Sequence, residues 1–326
     1  MPVISRSSFS PPRFLRNAHV QTVVPNMVRA VKGVSYTRVR IATPDDDFLD
    51  LDFSPVGSPR TAIVVHGLEG NSRRPYVLGM IRALNARGWN GVGMNLRGCS
   101  GEPNRKLRFY HSGDTGDLQT VLDYVWGGNS GGKTALIGFS LGGNIVLKYL
   151  GERGSSAANL ICAAAAFSVP CHLSSSSTRM ALPSNRFYTA RFLRSLRDKI
   201  TQKMERFPGK IDDEGYEAIR TFHEFDDRYA APIHGFKDAE DYYARASSKP
   251  VLRRIRVPTL LVNALDDPFL APPCYPYEEA RDNPYLFLET PSSGGHVGFW
   301  SSGIHGSSWA ERRAVEFLEP WGRQTS

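Results

Sequence analysis

The stretch that most constrains this chain runs from Thr134 to Leu150, TALIGFSLGGNIVLKYL. β-Branched and aliphatic residues from Thr134 to Phe139 read as a short strand, and Leu141 onward reads as a helix. Between them Gly138-Phe139-Ser140-Leu141-Gly142 has the G-x-S-x-G spacing of a sharp strand-to-helix turn that carries an exposed serine. The two glycines suit a turn in which a side chain would strike the opposing backbone. Ser140 is therefore placed above a sheet edge, at the positive end of a helix. The spacing alone is not decisive, because Gly128-Asn129-Ser130-Gly131-Gly132 also satisfies it. That second copy follows a helical pattern and precedes the strand, so its context is a loop.

Around this turn the chain alternates strand and helix, the signature of a parallel α/β sheet. Tyr36 to Ala42 and Phe48 to Phe53 alternate on either side of the turn-rich Pro44-Asp45-Asp46-Asp47 and predict an antiparallel hairpin at a sheet edge. Thr61 to Val65, Gly91 to Leu96, Leu160 to Phe167 and Pro258 to Ala264 read as further strands, with one more from Tyr285 to Leu288. Helical spacing appears at Tyr76 to Leu84, at Leu118 to Val125 and around Ala310 to Trp321. From about 171 to 250 the alternation stops and helical patches take over, at Thr189 to Met204 and at Asp212 to Phe225. The expected organisation is an N-terminal arm (1–33) without a clear period, an α/β core (34–170 and 251–326) and a helical cap inserted at 171–250.

A serine nucleophile needs a base, an acid to orient that base, and N–H donors for an oxyanion. His296, in Gly294-Gly295-His296, follows the last strand, where the order Ser, acid, His places the base. The acid falls after the strand ending at Ala264, where Asp266 and Asp267 are adjacent. Asp267 is favoured because Asp-Pro-Phe puts an apolar residue in position to tuck back into the core; Asp266 is the alternative, and the one not used would accept backbone N–H bonds of the loop. The N–H donors are expected at Leu141 and at Leu68, in His66-Gly67-Leu68, with His66 read as a structural hydrogen-bonding residue. Phe187, Tyr188, Phe192 and Phe225 are candidates for an apolar acyl pocket or for the cap's own core.

Composition sets bounds on this reading. Hydrophobic residues make up 41% of the 326 and charged residues 22%, ordinary proportions for a globular domain. The net charge of +8 comes from dispersed arginines with no dense basic run, which argues against nucleic acid and leaves peripheral contact with anionic membranes open. Four well-separated cysteines, with no C-x-x-C pair, fit reduced thiols in a cytoplasmic protein. The first residues lack the continuous apolar core of a secretion signal. No metal-binding spacing and no phosphate-binding loop is present, so no cofactor is expected.

Taken in order, His19-Val20-Gln21-Thr22, His66-Gly67-Leu68-Glu69-Gly70, Asn95-Leu96-Arg97-Gly98-Cys99-Ser100-Gly101, Tyr110-His111-Ser112-Gly113-Asp114, the Ser140 turn, Asn263 to Pro268 and Gly294-Gly295-His296 resemble the α/β-hydrolase fold superfamily. Within it the resemblance is to the YheT-like hydrolases and their eukaryotic α/β-hydrolase-domain relatives, over nearly the whole chain. It implies a Ser140–Asp267–His296 triad and a carboxylesterase or lipid-ester hydrolase acting on a small ester or an acyl lipid. It also implies that His19, Tyr110 and His111 pack near the site. Acyl transfer by the same triad, and a non-catalytic ligand-binding relative, are the alternatives. Asn95 stands where many superfamily members carry Asp, a departure the YheT-like branch shares.

Overall fold

Strands buried on both faces sort their side chains by parity, and in this chain the sorting is visible residue by residue. The computed structural model describes residues 2–128, 132–301 and 306–322. Nine strands, β1 (Val3–Ile4), β2 (Thr37–Ala42), β3 (Phe48–Ser54), β4 (Arg60–Val65), β5 (Asn90–Met94), β6 (Lys133–Phe139), β7 (Ile161–Phe167), β8 (Thr259–Val262) and β9 (Leu286–Glu289), form a sheet in the order 1-9-8-7-6-4-5-3-2. Strand β3 pairs antiparallel with both β2 and β5, while every other pairing is parallel.

The longer helices are α1 (Ala18–Val28), α2 (Pro75–Asn85), α3 (Thr115–Gly128), α4 (Leu141–Arg153), α5 (Leu173–Met180), α6 (Arg186–Arg206), α7 (Ala239–Ala246) and α8 (Trp309–Gly322). Ile63, Val65, Leu136, Ala164 and Ala166 face the helices α3 and α4, whereas Ala62, Val64, Ile137, Ala163 and Ala165 face α2 and α8. This is the two-residue period of a strand whose two faces are both covered. Each fully buried aliphatic side chain such as Val64 contributes roughly 1.5–3 kcal/mol relative to exposure.

The α/β reading of the sequence is borne out, with three differences in detail. Residues 2–33 carry elements of their own: β1 extends the sheet beside β9, and Asn17 caps α1 by accepting from the amides of His19 and Val20. Strand β5 ends at Met94, one residue before Asn95, whose N–H and side-chain amide both bond Asp50 O and whose amide also bonds Asp52. Residues 212–225 do not form one helix. A 3₁₀ turn (Tyr216–Ala218) and a short capped helix (Phe222–Phe225) run into a π-helical turn (Asp226–Ala230). The second G-x-S-x-G copy, at 128–132, lies largely outside the described residues.

Turn residues Asp45 and Asp47 have a further role. Arg97, buried behind them, bonds Asp45, Asp47 and Asp117, and so ties the β2–β3 turn to the loop after β5. Burial pushes the Asp47 carboxyl up, but bonds from Asn104 and from the amides of Arg105, Lys106 and Phe48 hold it at about 2. Among the described residues no helix is long and apolar enough to cross a membrane.

The turn after β6 is the tightest point of this framework. A Cβ on Gly138 would sit 2.5 Å from the carbonyl oxygen of Gly142, inside contact distance with backbone that cannot move away. Gly138→Ala should destabilise the fold by about 3 kcal/mol in urea unfolding. An unchanged midpoint would mean that the turn can open.

Candidate active site

Ser140 sits at the junction of β6 and α4 with φ 53° and ψ −121°, in the positive-φ half of backbone space that non-glycine residues seldom adopt. Its own N–H donates to Phe167 O of the neighbouring strand at 2.8 Å, so the sheet holds the strained residue in place. A Cβ on Gly142 would collide with the carbonyl of Val65, which lets α4 start directly against β4. Leu141 is the first residue of α4, and its N–H belongs to the group that a helix leaves without an internal acceptor.

His296 lies on the loop after β9. Its Nε2 is 2.8 Å from Ser140 Oγ, and its Nδ1 is 2.9 and 3.1 Å from the two oxygens of Asp267. The carboxylate accepts a hydrogen bond from Nδ1–H, which fixes the tautomer and leaves the Nε2 lone pair facing the serine hydroxyl. Asp267 is buried and also accepts the Phe269 N–H at 2.9 Å. The Phe269 ring lies over the imidazole with centroids 4.2 Å apart. Asp266 points elsewhere: its Oδ1 accepts the Gly295 N–H at 2.9 Å, and burial raises its carboxyl above the usual range.

The loop between β4 and α2 forms the opposite wall. His66 is fully buried, with Nδ1 donating to Gly67 O at 2.7 Å and Nε2 accepting the Leu96 N–H at 3.1 Å. Tyr76 OH accepts the Gly67 N–H, and Tyr110 OH both accepts the Glu69 N–H and donates to the Glu69 carboxylate at 2.7 Å. Ser195 of α6 bonds the other Glu69 oxygen at 2.6 Å, fastening the helical segment to this loop. Leu68 and Leu141 border the same cavity as Ser140 and His296.

That cavity measures about 420 Å³, a size typical of small-molecule sites. Tyr188, Phe192 and Phe225 line it, whereas Phe187 points away and is 69% exposed. His111 borders it too, and His19 reaches Tyr188 OH through Nδ1 at 3.0 Å.

Two residues of the N-terminal arm, Gln21 and Thr22, hold the histidine loop. Thr22 Oγ1 accepts the His296 N–H at 2.9 Å, and the Gln21 amide bonds both the carbonyl and the N–H of Trp300 at 3.0 Å. The dense polar run around Asn17 to Thr22 was the available signal. The cysteines also regroup: Cys171 Sγ lies 3.5 Å from Cys274 O, beneath α5, and both thiols are free.

A nine-stranded, mostly parallel sheet with a strained serine at the β6–α4 junction matches one known architecture. A family model described as the alpha/beta hydrolase fold matches residues 63–302. The chain belongs to the α/β-hydrolase fold family. Among curated relatives, YheT of Escherichia coli (strain K12) is 38% identical over 96% of this chain and 94% of its own length. Phospholipase ABHD3 of Homo sapiens is 30% identical over 86% of this chain and 70% of its own. Among solved structures, the Pyrococcus furiosus esterase Pf2001 superposes with a TM-score of 0.61 at 19% identity, over 98% of this chain and all of that one, a likeness of fold.

In this α/β-hydrolase the loop histidine His66 is held neutral, since its Nε2 must accept an amide proton, and burial lowers it to about 4. A histidine depressed in the fold binds its proton more readily when unfolded, so its contribution is intact above about pH 6.5 and is lost as pH falls toward 4. The loss amounts to about 3 kcal/mol. NMR titration of the His66 ring should show a midpoint near 4; a midpoint near 6.5 would contradict the buried pairing.

Proposed function

We propose that this chain is a serine hydrolase that cleaves carboxylic esters through an acyl-enzyme. The observation that carries the reading is the unbroken line from Ser140 Oγ through His296 to Asp267, with bonds of 2.8 and 2.9 Å, in the wall of a largely apolar cavity. In the proposed reaction His296 Nε2 removes the Ser140 proton as Oγ attacks the ester carbonyl. The Leu68 and Leu141 amides receive the developing oxyanion, and Asp267 stabilises the imidazolium without taking its proton. The imidazolium then protonates the departing alcohol. Water, deprotonated by His296, releases the acid from Ser140 in the second half. No cofactor enters any step.

The substrate reading is an ester with a long apolar part. Met180, Phe192, Phe225 and Phe269 in the cavity wall suit an acyl chain, and the phospholipase name of the human relative points the same way. Residues 171–250 act as the cap that decides which esters enter. Met27, 74% exposed, borders the cavity on α1, and the exposed Arg74 and Arg191 border it too. The mouth thus combines apolar and positive character, which favours uptake from anionic lipid surfaces. Four free thiols suit a reducing, cytoplasmic setting.

A fluorophosphonate probe should label the wild type and leave Ser140→Ala unlabelled, and Ser140→Ala should lower kcat on nitrophenyl esters by about 10⁴-fold or more. If the wild type neither labels nor turns over, the hydrolase reading is wrong. Asp267→Asn should lower kcat by roughly 10⁴-fold, because the amide cannot hold the Nδ1–H tautomer. Asp266→Asn should cost less than about tenfold; equal losses in the two variants would move the acid assignment.

A further inference from the structure

One group in the cavity wall has no part in the chemistry above. Asp226 opens the π-helical turn Asp226–Ala230 between the capped helix at Phe222–Phe225 and the short helix at Ala231–Ile233. In this turn the Ala231 N–H bonds Asp226 O, five residues back, which widens the helix by one residue. Such widened turns often mark sites where a helix presents a side chain for use. Asp226 presents its carboxyl to the cavity that holds Ser140, between walls that include Leu173, Phe225 and Ala230.

Its partners are few. Tyr243 OH lies 2.7 Å from Oδ2 and 2.9 Å from Ser177 Oγ; with a single proton to give, the phenol donates to the carboxylate and accepts from the serine. Oδ1 has no hydrogen-bond partner, and no cation faces the group among the described residues. It nevertheless keeps contact with the cavity, since the residue is half-buried and lines that space. Removal from bulk water raises the carboxyl to about 7. Oδ1 is therefore left to the water of the cavity, and a ligand that filled this space without offering a donor would strip it of that water at a cost.

We propose that Asp226, held by Tyr243 and Ser177, is a second polar subsite of this cavity and recognises a hydroxyl group carried by the substrate. A hydroxyl suits the site in either protonation state of the carboxyl, because it can donate to the ionised form and accept from the neutral one. An ammonium group would suit only the ionised form. The substrate class that follows is an ester bearing a free hydroxyl remote from its reacting carbonyl. An ester that is apolar throughout would leave Oδ1 unpaired in a newly dehydrated cavity, so the subsite selects against it. The proposal rests on reading the cavity as a substrate site, but its test does not require turnover.

The test measures binding to the full chain carrying Ser140→Ala, by calorimetry, with octan-1-ol and its isostere heptyl methyl ether. The two ligands share size and apolar surface and differ in one donor. The alcohol should bind about tenfold more tightly, and in Asp226→Leu the ratio should fall to within about twofold while the ether binds at least as well as before. Equal binding of alcohol and ether before the Asp226 change, or a preference that survives Asp226→Leu, overturns the subsite. Should Asp226→Leu fail to fold, the carboxyl carbon of Asp226, followed by NMR in the Ser140→Ala chain, should shift with the alcohol and not with the ether. The same response to both ligands also overturns it. Esterase activity of the wild type is scored separately, so an inactive protein with an intact alcohol preference would reject the hydrolase reading and keep the subsite.

Discussion

The structure depends on one forbidden approach made permissible. At the end of β6 the chain turns so sharply that the carbonyls of Val65 and Gly142 stand where side chains of Gly142 and Gly138 would be, and Ser140 is left in a backbone state that L-residues avoid. The neighbouring strand β7 holds it there through the Ser140 N–H to Phe167 O bond. Because the strain is locked by the sheet, the hydroxyl does not have to be ordered when a ligand arrives. The cavity wall, the start of α4 and the reach of His296 all follow from that placement.

A second layer of organisation is polar, and it ties loops rather than elements. Arg97 gathers three aspartates from two segments, Glu69 gathers Tyr110 and Ser195, and Gln21 clasps the backbone at Trp300. Each connects a loop that borders the site to a part of the chain remote in sequence. Packing of the aliphatic layers sets where the strands lie, and these buried polar groups set how the loops between them stand. Their energies as pairs are modest, and their value lies in leaving one arrangement satisfied and the others not.

What was legible in the sequence followed from local period and local turn chemistry. The continuous apolar runs of β4, β6 and β7, the alternation of β2 and β3, and the glycines at 138 and 142 each state their structure within a few residues. Ser140, Asp267 and His296, which the structure brings together, were readable because each lies in the turn or loop that follows a strand, in the order the fold requires. The strand β1 was not, since two residues at a sheet edge have no period. The π-helical turn at Asp226 was likewise invisible, because a helical pattern across residues 212–225 is broken only by tertiary packing of Tyr216, Phe225 and Tyr229 against α6. Gln21 and Thr22 gave only polarity, and their partners lie near the other end of the chain.

That distance has a consequence for how the protein comes into being. His296 is positioned through a hydrogen bond from its N–H to Thr22 Oγ1, 274 residues earlier, and Trp300 through Gln21. During synthesis the N-terminal helix and the serine turn emerge long before the loop that completes them. A chain still being made therefore carries the serine turn without the imidazole that stands beside it in the finished fold, until the segment around His296 has emerged and joined Gln21 and Thr22.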